Sequence, residues 1–258
     1  MKKVIVRALL PALCLCMLLT ACGKTVKLDY DAFEGSYRDP KHNVTYLRAE
    51  AYYEAVGLRE DQPYARIPSK KMEDMVLYQI DGADPSSMLA NQYFEIFYAK
   101  GTSLPKLEEM DVTKMYVGSV IEGAVMDLTV ATVTDVTDIN ALVALYASGT
   151  CFSETEKFED GTIVSEFNLR FASANYPAFY YRLSYHHYAK DVLVYEVIES
   201  AEGFVPTYQG VEVTIDESYV EKYGEIYAIY NFGSNILYDQ VTGNCYPVGD
   251  MIAKYITE

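Results

Sequence analysis

Alternation of apolar and polar side chains in one segment constrains the fold of this chain more than any other feature. In the stretch IVSEFNLRF (163–171), phenylalanine and leucine alternate with glutamate, asparagine and arginine. A period of two places the two sets on opposite faces of a β-strand, whereas a helix repeats every 3.6 residues. The segment is therefore predicted to be a strand with one buried face.

Further strand candidates surround this segment on both sides. They are MVLYQI, YFEIFYAK, KMYVGSV and AVMDLTVATV before it, and AFYYRLSYHHY, DVLVYEVI, VEVTI, EIYAIYNF and ILYDQVTGNCYPV after it. Most follow one another without an intervening helix, which favours antiparallel pairing. The chain also has 25 tyrosines, a residue that suits half-buried strands because its ring can face inward while its hydroxyl stays wet.

Two segments are predicted to be helical, and a third is ambiguous. TDINALVALYASG predicts a mid-chain helix over about 138–148, capped by Asp138 and ended by Gly149, and DMIAKYI predicts a short C-terminal helix. The alanines and glutamates of TYLRAEAYYEAVGLRED favour helix, although its tyrosines favour strand. REDQPYARIPSKK is predicted to be loop. The expected fold class is α+β, with predominantly antiparallel strands.

The first residues have the layout of a secretory signal peptide. A basic start, MKKVIVR, precedes the apolar run ALLPALCLCMLLTA, which is shorter than the roughly 20 residues of a membrane-spanning helix. The run ends in Leu19-Thr20-Ala21-Cys22, which resembles the lipobox of bacterial lipoproteins. That resemblance implies cleavage after Ala21 and a thioether-linked diacylglycerol on Cys22. The alternative is an ordinary secretory signal with a chance cysteine.

The lipobox divides the chain into a leader and a mature protein. Residues 1–21 are expected to be the signal peptide, 22–31 a lipidated tether and 32–258 a globular body, with two sub-modules, 32–121 and 122–258, left open. The leader holds three of the 21 basic residues and none of the 37 acidic ones, so the mature chain carries a net charge of −19. Such a body is expected to repel nucleic acid and anionic lipid, and to meet the membrane only through lipid on Cys22.

Only two cysteines lie in the expected body. Cys14 and Cys16 belong to the leader and Cys22 is the expected anchor, which leaves Cys151 and Cys245. An extracytoplasmic location permits a disulfide between them, but sequence alone cannot place them in contact. The alternative is two buried free thiols that pack as small apolar residues.

Motifs of known chemistry are missing from the sequence. There is no GxSxG, HExxH or glycine-rich phosphate loop, and the three histidines are His42, in a charged loop, and the neighbours His186 and His187, which a strand would point to opposite faces. The tyrosines of AFYYRLSYHHY could stack on a ligand, or could simply alternate between core and solvent. No catalytic residue, metal site or cofactor is predicted.

These observations favour a lipid-anchored envelope lipoprotein on the extracytoplasmic side of the cell membrane. Its acidic, soluble body is expected to have a non-enzymatic binding or scaffolding role, with an unidentified protein or envelope polymer as partner. Two alternatives stay open: a lipid-anchored hydrolase of wall polymer or peptide, and the binding component of an importer.

Overall fold

A computed structural model describes residues 25–69, 73–119, 128–153, 158–159 and 162–256 of the chain. The predicted signal peptide, Ala21 and Cys22 lie outside the described residues. So does the junction near 121 and 122 between the two predicted sub-modules, which stays a prediction.

The described part of the chain is built mainly from β-strands. In chain order they are β1 Val26–Lys27, β2 Asp29–Asp31, β3 Ser36–Asp39, β4 Val44–Arg48, β5 Tyr53–Ala55, β6 Leu58–Ile67, β7 Met75–Ile80, β8 Met88–Asn91, β9 Ile96–Ala99, β10 Val112–Ser119, β11 Leu128–Val133, β12 Phe152–Ser153, β13 Phe158–Glu159, β14 Ile163–Ser173, β15 Phe179–Tyr188, β16 Leu193–Ile198, β17 Glu212–Asp216, β18 Ile226–Asn231, β19 Asn235–Asp239 and β20 Asn244–Pro247. The α-helices are α1 Val136–Ser148 and α2 Val220–Tyr223. Three short 3-10 turns span Leu107–Glu109, Gly249–Met251 and Ala253–Tyr255.

The strands form three sheets. The first has the order β1-β6-β7-β8-β9-β4-β3-β2, and the second has the order β11-β10-β14-β15-β19-β20-β12 with β5 added beside β15. The third, β13-β16-β18-β17, has four strands. Neighbouring strands pair antiparallel throughout the sheets except for β1 with β6, which pair parallel.

Three clusters of buried side chains hold these layers together. One joins the first sheet, through residues such as Ile80, to the second sheet, through Leu169 and Leu183, and to α1, through Ile139 and Leu142. A second cluster connects the second and third sheets, and a third packs on the first sheet around residues 46, 77 and 97. Each fully buried leucine or isoleucine contributes about 1.5–3 kcal/mol to folding.

The ends of α1 are fixed by two side-chain features. Asp135, rather than Asp138, is the N-cap, and its carboxylate accepts hydrogen bonds from the backbone N–H groups of Thr137 and Asp138. At the other end, a Cβ on Gly149 would lie 2.1 Å from the carbonyl oxygen of Leu145, so only glycine fits there.

The α+β prediction is wrong, because the described chain is mostly β. Residues 44–67, predicted as helix followed by loop, form β4, β5 and β6. Local helix propensity is outweighed there by pairing of β4 with β9 and of β5 with β15. The predicted C-terminal helix consists instead of the two 3-10 turns, Gly249–Met251 and Ala253–Tyr255.

Candidate functional site

Residues 49–56, here called the bridging segment, connect the first sheet to the second. On one side, the backbone N–H of Ala49 donates to the carbonyl oxygen of Ile96 at 2.8 Å, and that of Ala55 donates to Phe94 at 3.0 Å. On the other side, β5 pairs with β15, and the N–H of Arg182 donates to the carbonyl oxygen of Tyr52 at 2.7 Å. A recess opens on each flank of this segment.

The first recess, here called the arginine pocket, has a volume of about 290 Å³. It is lined by Arg48, Ala49, Glu50, Ala51, Tyr53, Glu54, Tyr93, Phe94, Glu95, Ile96 and Arg182. Small-molecule sites in proteins commonly measure about 300–1,000 Å³, so this pocket matches the smallest of them. Its residues come from the bridging segment, from the turn between β8 and β9, and from β15.

The turn between β8 and β9 holds Phe94 in an unusual backbone conformation. Phe94 has φ +64°, in the left-handed region that a bulky side chain rarely adopts. The buried Asn91 fixes this turn, since its side-chain oxygen accepts the backbone N–H groups of Tyr93 at 2.9 Å and Glu95 at 3.1 Å. Strained backbone of this kind costs about 1–3 kcal/mol and concentrates at binding and catalytic sites.

Two arginines face each other behind the pocket. Arg170 on β14 and Arg182 on β15 are directly opposite in the strand register, an arrangement that like charges destabilise. Glu54 relieves the repulsion: Nε of Arg170 donates to Oε1 at 2.7 Å, and a terminal nitrogen of Arg182 lies 3.5 Å from Oε2. One carboxylate therefore serves two guanidinium groups.

A second ion pair on the pocket wall is balanced. Arg48 donates to Oε1 of Glu95, and the side-chain amide of Asn91 donates to Oε2 of Glu95 at 2.6 Å. By contrast, the exposed Glu50 makes no side-chain hydrogen bond or ion pair with any residue in the described part of the chain.

The second recess, here called the tyrosine pocket, surrounds a buried carboxylate. It is lined by Glu50, Tyr52, Tyr53, Lys106, Glu108, Tyr146, Ala147, Tyr181, Asp239, Thr242 and Tyr246. Oδ2 of Asp239 accepts the hydroxyls of Tyr52 at 2.8 Å and Tyr146 at 3.0 Å. Oδ1 of Asp239 accepts the backbone N–H groups of Val241 at 2.9 Å and Thr242 at 3.1 Å.

Burial dominates the acidity of this tyrosine cluster. It raises the pKa of Tyr52, and the hydrogen bond to the Asp239 carboxylate raises it further. Burial also raises the pKa values of Tyr146 and Tyr181, whose hydroxyls lie 3.2 Å apart. Burial and the nearby Glu50 charge raise the pKa of Tyr53 to about 12. These phenols therefore act as neutral hydrogen-bond donors at physiological pH.

Both body cysteines are free thiols in the structure. Cys245 is the cross-strand partner of Phe152 and is buried with it in the cluster between the second and third sheets. Cys151 packs against the cluster between the first and second sheets. Because successive strand residues point to opposite faces, the two cysteines lie on opposite sides of this strand pair.

The three histidines lie apart from both pockets. His186 is buried on β15 and stacks on Tyr238 with ring centroids 4.9 Å apart, while Nδ1 of His187 lies 2.8 Å from Oδ1 of Asn235. Nδ1 of His42 lies 2.7 Å from Oδ2 of Asp39, which is fully buried. In the described residues, no group of three or more His, Cys, Asp or Glu could hold a metal ion.

Sequence reasoning missed the arginine pocket altogether. Arg170 and Glu54 are 116 positions apart, and Glu54 was assigned to a helix, so no local spacing connects them. One signal existed: arginines on the polar faces of two consecutive strands, β14 and β15, need a counterion if the strands pair. Of the tyrosines singled out in AFYYRLSYHHY, Tyr181 lines the tyrosine pocket, with its ring stacked on Tyr52 at 4.9 Å.

Comparisons with protein-family models, with curated proteins and with solved structures return no match to this chain. Within the described ranges, no helix is both long and apolar enough to cross a membrane.

Proposed function

We propose that this chain is an extracytoplasmic lipoprotein, held at the membrane by lipid on Cys22, whose β-rich body binds a small ligand in the arginine pocket without chemically changing it. The observation that carries the binding role is the position of Phe94. A bulky residue with φ +64° forms part of the wall of a recess between two sheets. Folding stability alone gives no reason to keep this strain, whereas a shaped binding wall does.

The anchor is supported by the lipobox sequence and by charge. A mature chain with a net charge of −19 gains little from lying on anionic headgroups, so attached acyl chains would provide the hold. Each buried CH₂ of such a chain contributes about 0.8 kcal/mol, and two or more chains give stable attachment.

Lipid labelling of cells tests the anchor. Cells that express the full chain are grown with a labelled fatty acid, and the protein is recovered from membrane and soluble fractions. We expect Cys22→Ala to lose the label and to leave the membrane fraction, whereas Cys151→Ala keeps both. Label retained on Cys22→Ala would contradict the anchor.

Ligand-dependent thermal stabilisation tests the binding role. The detergent-solubilised full-length protein is screened against amino acids, sugars, nucleosides and organic acids. A ligand at about 100 times its Kd stabilises the fold by about 2.7 kcal/mol, which shifts the melting temperature measurably. We expect the shift to disappear in Arg182→Gln and to persist in Arg59→Gln, whose partner Asp81 belongs to a surface pair outside the pocket. A screen with no stabilising compound, or a shift unaffected by Arg182→Gln, would overturn the assignment.

A further inference from the structure

The charge behind the arginine pocket is unbalanced. Arg170, Glu54 and Arg182 form a triad whose side chains are 11%, 16% and 30% exposed, and it contains two positive charges and one negative charge. Gln240, which accepts from Arg182 at 3.0 Å, is a neutral amide. Incompletely compensated charge in a partly buried place is costly, and a further carboxylate would relieve that cost.

The excess positive charge faces the pocket through Arg182. The shorter contact with Glu54, at 2.7 Å, belongs to Arg170, whereas Arg182 contacts the same carboxylate at 3.5 Å. Nε of Arg182 is buried and has no hydrogen-bond acceptor among the described residues. Because Arg182 lines the pocket and Arg170 does not, an anionic group of a ligand would meet the guanidinium of Arg182.

The same pocket offers a negative charge that is available for pairing. Glu95 is bound to Arg48 and Asn91, and Glu54 is bound within the triad, but the carboxylate of Glu50 has no partner in the described part of the chain. Glu50 lines both recesses and is exposed. A ligand ammonium group therefore has one carboxylate ready to accept it.

These two charges select against ligands of one sign. A dianion would meet three lining carboxylates on a strongly acidic body, and a simple cation would meet Arg182 without an anion to compensate it. A small zwitterion satisfies both groups and adds no net charge. Tyr53, Phe94 and Ile96 supply the apolar part of the wall, which suits a hydrocarbon or aromatic side chain.

We propose that the arginine pocket binds a free α-amino acid with an apolar side chain, its carboxylate against Arg182 and its ammonium group against Glu50. This assignment rests on the proposed binding function and names its ligand class.

Calorimetric titration of the detergent-solubilised full-length protein with leucine and phenylalanine tests the assignment. Isocaproate, which is leucine without its ammonium group, and isoamylamine, which is leucine without its carboxylate, are the matched controls. Hydrogen bonds to charged groups are worth about 1.5–3 kcal/mol each, so each control is expected to bind at least about tenfold more weakly than leucine.

Two variants locate the two charged groups. Glu50→Gln is expected to weaken leucine binding by about tenfold while leaving isocaproate binding unchanged, because only leucine has an ammonium group to lose. Arg182→Gln is expected to weaken leucine and isocaproate alike. Glu202→Gln, at an exposed loop residue distant in sequence from the pocket, is the control and is expected to change neither affinity. Circular dichroism spectra check that each variant is folded.

The outcomes separate this inference from the proposed function. If the protein binds a sugar, a nucleoside or an organic acid in an Arg182-dependent manner but no α-amino acid, the inference is overturned and the binding function stands. If no compound binds, both fail. Should Arg182→Gln not fold, Glu50→Gln still decides, because Glu50 is exposed: leucine affinity unchanged in that variant would overturn the inference.

Discussion

The hydroxyl of Tyr52 donates a 2.8 Å hydrogen bond to Oδ2 of Asp239 across 187 positions of the chain. Tyr52 belongs to the bridging segment, and Asp239 ends β19 in the second sheet. The bond therefore holds the segment between the two pockets against the second sheet. Asp239 is 1% exposed, so its charge depends on such donors for stabilisation.

Removing this donor is expected to destabilise the fold. Tyr52→Phe keeps the ring but leaves Asp239 with three donors instead of four, and a hydrogen bond to a charged group contributes about 1.5–3 kcal/mol. Urea unfolding followed by circular dichroism measures the loss. Tyr30→Phe, at an exposed ring, is the control and is expected to leave the midpoint unchanged. Equal midpoints for both variants would show that the Asp239 network contributes nothing.

Alkaline pH is expected to unfold the protein through its buried phenols. Burial raises the pKa values of Tyr52, Tyr146 and Tyr181 in the folded state above the ordinary value of about 10. Below about pH 10 both states keep these protons, so this stabilisation is fully present there. Above that pH the unfolded state ionises first, and stability falls as pH rises toward the folded-state values.

Phenolate absorbance follows this transition, since the chain has no Trp to interfere. We expect an early reversible rise from solvent-exposed phenols and then a cooperative rise that coincides with loss of the circular dichroism signal. A single smooth rise with an unchanged circular dichroism spectrum would contradict the prediction.

The strands of the second and third sheets were predictable because their signal is local. In β14, alternating side chains match one buried and one polar face, and the same holds for much of β15. The helix α1 was also visible, through its apolar spacing and its acidic residues at the start, although the wrong aspartate was chosen as the cap.

The bridging segment was not predictable for a physical reason. Its alanines and glutamates favour helix locally, and only partners far along the chain make Tyr53–Ala55 a strand. The pocket has the same origin, because Glu54 and Arg182 are 128 positions apart. Nor does sequence signal a positive φ at a phenylalanine, a residue that disfavours it.

Acid pH is expected to destabilise the fold through Asp39. Burial opposes its ionisation, but hydrogen bonds from the His42 ring and from the backbone N–H groups of His42 and Lys41 outweigh burial and lower the pKa of Asp39. A lowered folded-state pKa gives stability that is present above the unfolded value, near 4, and is lost as pH falls through the folded one.

Asp39→Asn tests this linkage. The variant is expected to be less stable than wild type at about pH 7, and the difference is expected to shrink by about pH 3, where the wild-type carboxylate begins to lose its advantage. Urea midpoints across this range measure both effects. Asp61→Asn, at an exposed position, is the control. A difference that stays constant with pH would contradict the prediction.

Paired substitutions at Phe94 test the backbone strain. Phe94→Gly and Phe94→Ala both remove the ring, but only glycine adopts φ +64° without a Cβ clash. A left-handed residue with a Cβ costs about 1–2 kcal/mol, part of which is offset by the greater unfolded-state freedom of glycine. We therefore expect the glycine variant to be the more stable by up to about 1 kcal/mol. At Tyr98 in β9 the order is expected to reverse, since glycine weakens an ordinary strand position.

The body thiols give a test of the strand register at β12 and β20. Because Cys245 points with Phe152 and Cys151 points to the other face, we expect no bridge between the cysteines. The mature Cys22→Ala chain, which lacks the leader cysteines, is denatured without reductant and titrated with a thiol reagent. Two reactive thiols are expected, and none would mean that the cysteines are bridged. In the native protein Cys151 is expected to react before the buried Cys245, an order that a shifted register would exchange.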